Sequence, residues 1–194
     1  ESGKNYDGLE DLDAPGALRV SVGDIAAGYD NFESDDETDV DFILMGSAAY
    51  GEAEAQSLAN KIIGIAEQRK DALAFVSPYR ASQITDSTAG AQITINSERI
   101  TTNLIAFYST VASSSYAVLD SGYKYMYDRF ADKFRYVPLN GDVAGCCCRT
   151  DQVAFPWFAP AGLTRGVVTN ASQVGYVNDE NEFVRVRLTE GQRD

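Results

Sequence analysis

Apolar residues recur with the spacing of a helix between residues 52 and 69. They stand three or four positions apart, which places them on one face of an α-helix. Acidic residues open the segment, and Arg69 and Lys70 close it, an order that favours the helix dipole. The pattern therefore predicts a helix over 52–69. Its buried face comprises Ala55, Leu58, Ala59, Ile62, Ile63 and Ala66.

Two further helices are predicted farther along the chain. One begins near Asn96 or Ser97, either of which is a suitable N-cap. The other covers residues 139–149 and contains three consecutive cysteines. The apolar side of the first of these helices comprises Ile100, Leu104, Phe107, Tyr108 and Val111.

Short apolar runs alternate with these helices and predict strands. They cover residues 40–45, 72–76 and 116–119, and each is closed by residues typical of turns. An order of strand, helix, strand, helix, strand is typical of βαβ units. We therefore expect the α/β class, as a layered fold with a mostly parallel sheet flanked by helices.

The second half of the chain contains a different strand pattern. Residues 123–127 and 134–137 alternate with period two and predict a hairpin-like extension. A final strand is predicted over 183–188, with Arg185 and Arg187 on one face.

Charge is unevenly distributed along the 194 residues. Residues 1–54 contain 15 acidic and two basic residues, so the whole net charge of −13 lies in the first quarter of the chain. We predict an acidic, loop-rich segment over 1–39 and an α/β core domain over 40–194. Such a charge should repel nucleic acid and anionic membranes, so neither is an expected partner. No apolar run approaches the length of a transmembrane helix.

The sequence contains no histidine, which excludes Ser-His-Asp and Cys-His catalysis and most zinc sites. A glycine-bounded stretch over 46–51 lies where a phosphate-binding loop would lie, but Glu52 follows it in place of lysine. An EF-hand starting at Asp30 or Asp35 lacks glycine at its sixth position. We therefore predict no catalytic residues, no metal ligands and no cofactor.

Cys146, Cys147 and Cys148 are consecutive, so they do not form a disulfide framework. A reducing, intracellular place of assembly and a packing role are expected. Aromatic residues are also clustered, and without a basic groove they favour core packing or protein contacts over base stacking. These clusters are Tyr123, Tyr125 and Tyr127, and Phe155, Trp157 and Phe158.

The segment 115–166 contains several stretches of sequence that resemble those of a known protein family. They are AVLDSGY at 117–123, VPLNGD at 137–142, and PWF and PAG at 156–162. These words closely resemble the contractile tail sheath proteins of T-even-like myophages. The segment 41–69 and the word FVSPYR at 75–80 also look like the core domain of that family, so the likeness covers roughly residues 40–194.

The resemblance implies a structural role without enzymatic activity. Proteins of this family stack as rings into a helical tube around the tail tube, and a baseplate signal triggers contraction. The tube is then driven through the host envelope for genome ejection. The implied core domain is subtilisin-like without being a protease. The implied partners are other sheath subunits, the tail tube protein, and the baseplate and tail terminator proteins. The implied location is the virion, after assembly in the host cytoplasm.

Two features depart from the family pattern. The three cysteines stand where apolar residues are expected, which favours packing. The chain also stops at Asp194 and lacks the C-terminal domain whose extended arm adds strands to neighbouring subunits in this family. We therefore expect this chain alone to be monomeric or weakly associating.

Two alternatives to a phage tail sheath remain open from the sequence. A sheath of a bacterial contractile injection system would have the same fold, and an α/β enzyme with a carboxylate-based site is the remaining class. Within the sheath interpretation, the acidic run 30–39 is a candidate contact for a basic patch on a neighbouring subunit. That patch comprises Lys124, Arg129, Lys133 and Arg135.

Overall fold

The structure is a computed structural model, and the fold can be followed along most of the chain. It describes residues 22–34, 38–47, 51–82, 97–130, 132–174, 176–177 and 183–184. The described helices are α1 (Val22–Asp30), α2 (Glu52–Arg69), α3 (Ser97–Tyr108), α4 (Asn140–Val153) and α5 (Gly162–Arg165). The described strands are β1 (Phe42–Leu44), β2 (Leu73–Val76), β3 (Ala117–Leu119), β4 (Tyr123–Asp128), β5 (Lys133–Pro138), β6 (Gln173–Val174), β7 (Tyr176–Val177) and β8 (Phe183–Val184).

Helix α2 has the bounds that the apolar spacing predicts. All six residues of its predicted face are buried, and Ile62 and Ile63 are completely inaccessible to solvent. Burying a side chain of this size contributes about 1.5–3 kcal/mol relative to leaving it exposed. The face packs into a single apolar cluster with β1 and β2, so α2 is the central helix of the core.

Strands β1, β2 and β3 form the predicted parallel sheet, with β2 in the middle. In register, Ile43 lies opposite Ala74, and Phe75 lies opposite Val118. The last three residues of β2 are buried, as expected for a central strand covered on both faces. All three strands therefore end at the same edge of the sheet, which we call the carboxyl edge.

Among the described strands, parallel pairing is limited to β1–β3, and the remaining strands are antiparallel. Strands β4 and β5 form the predicted hairpin, and β6 pairs with β4 on its other side, also antiparallel. Strands β7 and β8 form a separate antiparallel pair. A connection as short as the one between β4 and β5 permits only an antiparallel return. The result is a mixed α/β fold. Residues 185–188 of the predicted last strand lie outside the described residues.

The segment 1–39, predicted to be loop-rich, contains helix α1 in its described part. Val22, Ile25 and Tyr29 of this helix are partly buried against the main apolar cluster. They are spaced three and four residues apart, as on one helix face. The Tyr29 hydroxyl also donates to the carbonyl oxygen of Leu44, 2.5 Å away. The division of the chain at residue 40 stays a prediction.

Helix α3 begins at Ser97, as predicted, and ends at Tyr108. Leu104 and Phe107 are completely buried, and the Phe107 ring contacts the rings of Tyr79 and Tyr108. Asn96 lies outside the described residues. Helix α4 contains the cysteines, as predicted, but continues four residues beyond the predicted end, to Val153.

The residue that follows helix α2 has an unfavourable backbone conformation. Lys70 follows the helix with a φ of 65°, in the left-handed region, and its N–H donates to the carbonyl oxygen of Ala66 at 2.8 Å. Glycine adopts this conformation without the steric cost of a Cβ atom. We expect Lys70→Gly to raise the free energy of unfolding by about 1 kcal/mol, measured by urea denaturation. Lys70→Ala retains the Cβ atom and serves as control; an equal gain from alanine would contradict the backbone explanation.

Candidate functional site

The positions considered for nucleotide and cation binding lie at the start of α2 and before β1. Gly46 follows β1 with a φ of +71°, and Gly51 precedes α2. Glu52, exposed in the first helical turn, lies where a phosphate-binding loop would place its cation. Residues 48–50 lie outside the described residues. Within the described ranges, no three His, Cys, Asp or Glu side chains converge as metal ligands would.

The three cysteines differ in exposure. Cys146 is buried, Cys147 is half-buried and Cys148 is exposed, and all three are free thiols. Successive residues of a helix point about 100° apart, so three neighbours face three directions. The packing role predicted for the cysteines is therefore confirmed for Cys146 and is wrong for Cys148.

The tyrosines of β4 lie along a gradient of burial. Tyr123 is buried at the start of the strand, Tyr125 is half-buried, and Tyr127 is exposed near the hairpin tip. The Tyr125 ring packs against Phe134 and Tyr136 of β5. Core packing, as predicted, is thus confirmed at the base of the hairpin, while its tip presents aromatic side chains to solvent.

Residues 153–167 form an exposed apolar surface, which we call the aromatic surface. The Phe155 and Trp157 rings are stacked with centroids 4.7 Å apart, and Phe158 lies beside Phe155. Trp157 is 77% exposed and Leu163 is 95% exposed. A group of exposed apolar side chains of this kind is typical of a protein–protein contact.

Arginine side chains support the aromatic surface from within the chain. The guanidinium of Arg149 donates to the carbonyl oxygen of Val167 at 2.8 Å, which ties α4 to the segment after α5. The guanidinium of Arg165 lies 5.5 Å from the centroid of the Phe158 ring, within the range of a cation–π contact. The surface therefore has a fixed framework and is not a loose loop of apolar residues.

A second cluster lies at the carboxyl edge of the parallel sheet, where ligand sites of α/β proteins are commonly found. It consists of Ser77, Asp120, Gly122 and Asn140, and we call it the polar joint. The Ser77 hydroxyl donates to Oδ2 of Asp120, and the Gly122 N–H donates to Oδ1 at 2.9 Å. The Asn140 N–H donates to Oγ of Ser77 at 3.2 Å.

The polar joint connects three parts of the fold. Ser77 follows β2, Asp120 follows β3, and Asn140 is the first residue of α4. The Asn140 side chain reaches across to the carbonyl oxygen of Gly46, which follows β1, at 2.8 Å. These hydrogen bonds attach the hairpin and α4 to the end of the parallel sheet.

The carboxyl group of Asp120 is unusual because it is buried and its described donors are uncharged. The residue is 8% exposed. Burial raises the pKa of Asp120 from its ordinary 3.8 to about 7, against the opposing effect of the Ser77 and Gly122 hydrogen bonds. The negative charge of Asp142 raises this pKa further. The carboxyl therefore changes its charge near neutral pH.

A buried ion pair lies next to the joint. The Lys124 ammonium is 2.8 Å from Oδ1 of Asp142, and it also lies 3.4 Å from the carbonyl oxygen of Thr169. The side chains are 9% and 16% exposed, so water screens this pair little. The pair joins β4 to the first turn of α4.

The described part of the acidic run is bound within the same chain, its carboxylates by Lys61 and its backbone by Arg69. The Lys61 ammonium lies 2.5 Å from Asp30 and 2.6 Å from Glu33. Two of the four members of the basic patch proposed as its partner are also engaged internally, since Lys124 pairs with Asp142 and Arg135 pairs with Asp128. Asp35, Asp36 and Glu37 lie outside the described residues.

Arg69 uses every N–H of its guanidinium. Nε and Nη2 donate to the two carboxylate oxygens of Asp71, each at 2.9 Å. The remaining donors reach the carbonyl oxygens of Phe32, Ser34 and Thr38 at 2.9–3.0 Å. The sequence pattern predicts only a helix-dipole role for Arg69, because nothing in it indicates carbonyl acceptors more than 30 positions away.

Comparison with known proteins gives a consistent result, although no family model matches the chain. The chain is 34% identical over 161 residues to the tail sheath protein of Enterobacteria phage T4. It is 32% identical over 188 residues to the tail sheath protein of Vibrio phage KVP40. Most of this chain is homologous to phage tail sheath proteins. The tail sheath protein of Salmonella phage ViI is 27% identical over 173 residues.

The extent of these matches differs between the chain and its relatives. They cover 78%, 90% and 86% of this chain. They cover 23%, 26% and 26% of the relatives. The chain thus spans about a quarter of the length of the tail sheath proteins that it matches.

None of the helices within the described ranges combines the length and the apolar character needed to cross a bilayer.

Proposed function

We propose that this chain is part of the structural subunit of a contractile phage tail sheath. The observation that supports this most strongly is its 32–34% identity to two tail sheath proteins over most of its own length. In this role the subunit polymerises around the tail tube in the virion. Contraction of the polymer drives the tube through the host envelope, and the subunit itself catalyses no reaction.

The proposed partners are those of such a sheath: other sheath subunits, the tail tube protein, and the baseplate and tail terminator proteins. The aromatic surface is the part of this chain best suited to a subunit contact, since Trp157 and Leu163 expose most of their apolar area. The finer fold proposal, a subtilisin-like core domain, is supported by the three parallel strands β1–β3 with α2 packed against them.

Negative-stain electron microscopy of the full-length parent protein, beside this 194-residue chain, tests the proposal. We expect rings or tubes from the concentrated parent and dispersed particles from the chain alone. In the parent, Trp157→Ser should reduce assembly, because truncating a central aromatic contact typically costs about 2 kcal/mol. Phe130→Ser is the matched control, since Phe130 is an aromatic residue that is even more exposed (90%) but lies at the hairpin tip.

The outcomes separate the two parts of the proposal. Dispersed particles from the parent at every concentration and salt level would count against the sheath function. Tubes that form equally well with Trp157→Ser would leave the sheath function standing and remove the aromatic surface from the contact.

A further inference from the structure

Three elements of the fold meet at a single carboxyl group. The Asp120 N–H donates to the carbonyl oxygen of Val76 at 3.0 Å, while its side chain binds Ser77 and the Gly122 N–H. The Leu139 N–H, just before α4, donates to the carbonyl oxygen of Gly122 at 3.0 Å. The carboxyl therefore holds together the ends of β2 and β3 and the starts of the hairpin and α4.

The connection from β3 to β4 has a backbone that favours this arrangement. Gly122 has a φ of 146°, a backbone conformation that residues other than glycine rarely adopt. It directs the chain out of the parallel sheet and into β4 within three residues. The hairpin is thus attached to the sheet through a short connection in which the Asp120 side chain bonds both Ser77 and the Gly122 N–H.

Among the described residues, the charged and titratable groups near Asp120 bind partners other than its carboxyl oxygens. On α3, the Tyr108 hydroxyl donates to the backbone oxygen of Asp120 at 2.7 Å, leaving the carboxyl oxygens to other donors. On β4, the Tyr123 hydroxyl donates to the carbonyl oxygen of Pro78, and the Lys124 ammonium binds Asp142 of α4. The described partners of the two carboxyl oxygens are uncharged: the Gly122 N–H at Oδ1 and the Ser77 hydroxyl at Oδ2. In the protonated form the carboxyl O–H donates to Oγ of Ser77, so the same contact is kept with the donor reversed.

We propose that the polar joint is a pH-sensitive switch: the uncharged Asp120 carboxyl keeps the hairpin and the first turn of α4 on the parallel sheet, and loss of its proton loosens this attachment. An anion buried without a cationic partner is unfavourable, and it is relieved when the joint opens to water. The inference concerns this chain's own fold and does not depend on the sheath function.

The direction of the pH dependence follows from the two protonation states. In the open joint Asp120 titrates near its ordinary 3.8, and in the closed joint near 7. Between these values the open form releases a proton that the closed form keeps, so opening becomes about tenfold more favourable per pH unit. Above about 7 both forms are ionised and the dependence levels off.

Hydrogen exchange of the full 194-residue chain at pH 5.5, 6.5, 7.5 and 8.5 tests this inference. After correction for intrinsic exchange rates, protection of the amides of Gly122, Leu139 and Asn140 should fall about tenfold per unit up to pH 7 and then stay constant. Protection of α2 should change much less. Asp120→Asn should abolish the dependence. Asp151→Asn, an exposed carboxylate on the same α4, is the matched control and should retain it.

A second variant keeps the test decisive where Asp120→Asn does not fold. The Ser77 hydrogen bond lowers the pKa of Asp120, so Ser77→Ala should move the end of the pH dependence to higher pH. The inference is wrong if Asp120→Asn retains the dependence of the unmodified chain, or if Ser77→Ala leaves its upper limit unchanged. It is equally wrong if α2 loses protection in parallel with the joint, since the effect would then be global unfolding.

Discussion

Replacing Arg69 with lysine should destabilise the chain by about 3 kcal/mol, although the charge is retained. The side chain of Arg69 is completely buried and donates to the Asp71 carboxylate and to three backbone carbonyl oxygens. A lysine ammonium is a compact charge with three donors. It cannot reach all of the acceptors that the planar guanidinium of Arg69 contacts. Some of these partly buried backbone oxygens would then lose their donor. Urea denaturation followed by circular dichroism measures the loss.

The experiment has a matched control in Arg129→Lys. Arg129 is exposed at the hairpin tip, and its guanidinium lies over the Phe130 ring. Its replacement should change the free energy of unfolding by less than about 0.5 kcal/mol. The loss at Arg69 should also persist in high salt, because buried groups are screened little. A change at Arg69 as small as that at Arg129 would contradict its hydrogen bonds to Phe32, Ser34 and Thr38.

Removing the cation of the Lys124–Asp142 pair should have a comparable effect. Lys124→Met leaves the mostly buried carboxylate of Asp142 without its partner, at an expected cost of about 3 kcal/mol. The uncompensated charge also lies near Asp120, whose pKa Asp142 already raises. The variant should therefore move the end of the pH dependence of the polar joint to higher pH. Denaturation at pH 8 measures the first effect and hydrogen exchange the second.

The double variant Lys124→Met with Asp142→Leu distinguishes the effect of the ion pair from the effect of packing around Lys124. Replacing both members with apolar residues of similar volume removes the buried charge along with its partner, so most of the lost stability should return. A double variant as unstable as Lys124→Met alone would show that packing around Lys124, and not the ion pair, causes the loss.

The elements that the sequence predicts well are those determined by local spacing. The face of α2 follows from apolar residues three and four positions apart, and all of its predicted members are buried. The hairpin follows from alternation, and its register places Tyr125 opposite Tyr136. Such patterns are complete within a few residues, so no distant contact is needed to interpret them.

The features that the sequence does not predict depend on distant contacts. Asp120 follows a predicted strand, and polar residues in that place are ordinarily solvated. Its burial arises only when β2, the hairpin and α4 close around it. Helix α1 was missed because acidic residues and Gly28 interrupt a weak apolar pattern, and its stability comes from packing against the core.

The different environments of the three cysteines have a practical consequence. The buried and half-buried thiols are shielded, and burial together with the nearby Asp151 carboxylate raises the pKa of the Cys147 thiol, which keeps it in its unreactive protonated form. Cys148 alone of the three points to solvent. A maleimide dye should therefore couple selectively to α4 of the unmodified chain, where its fluorescence reports on that helix without any engineered cysteine.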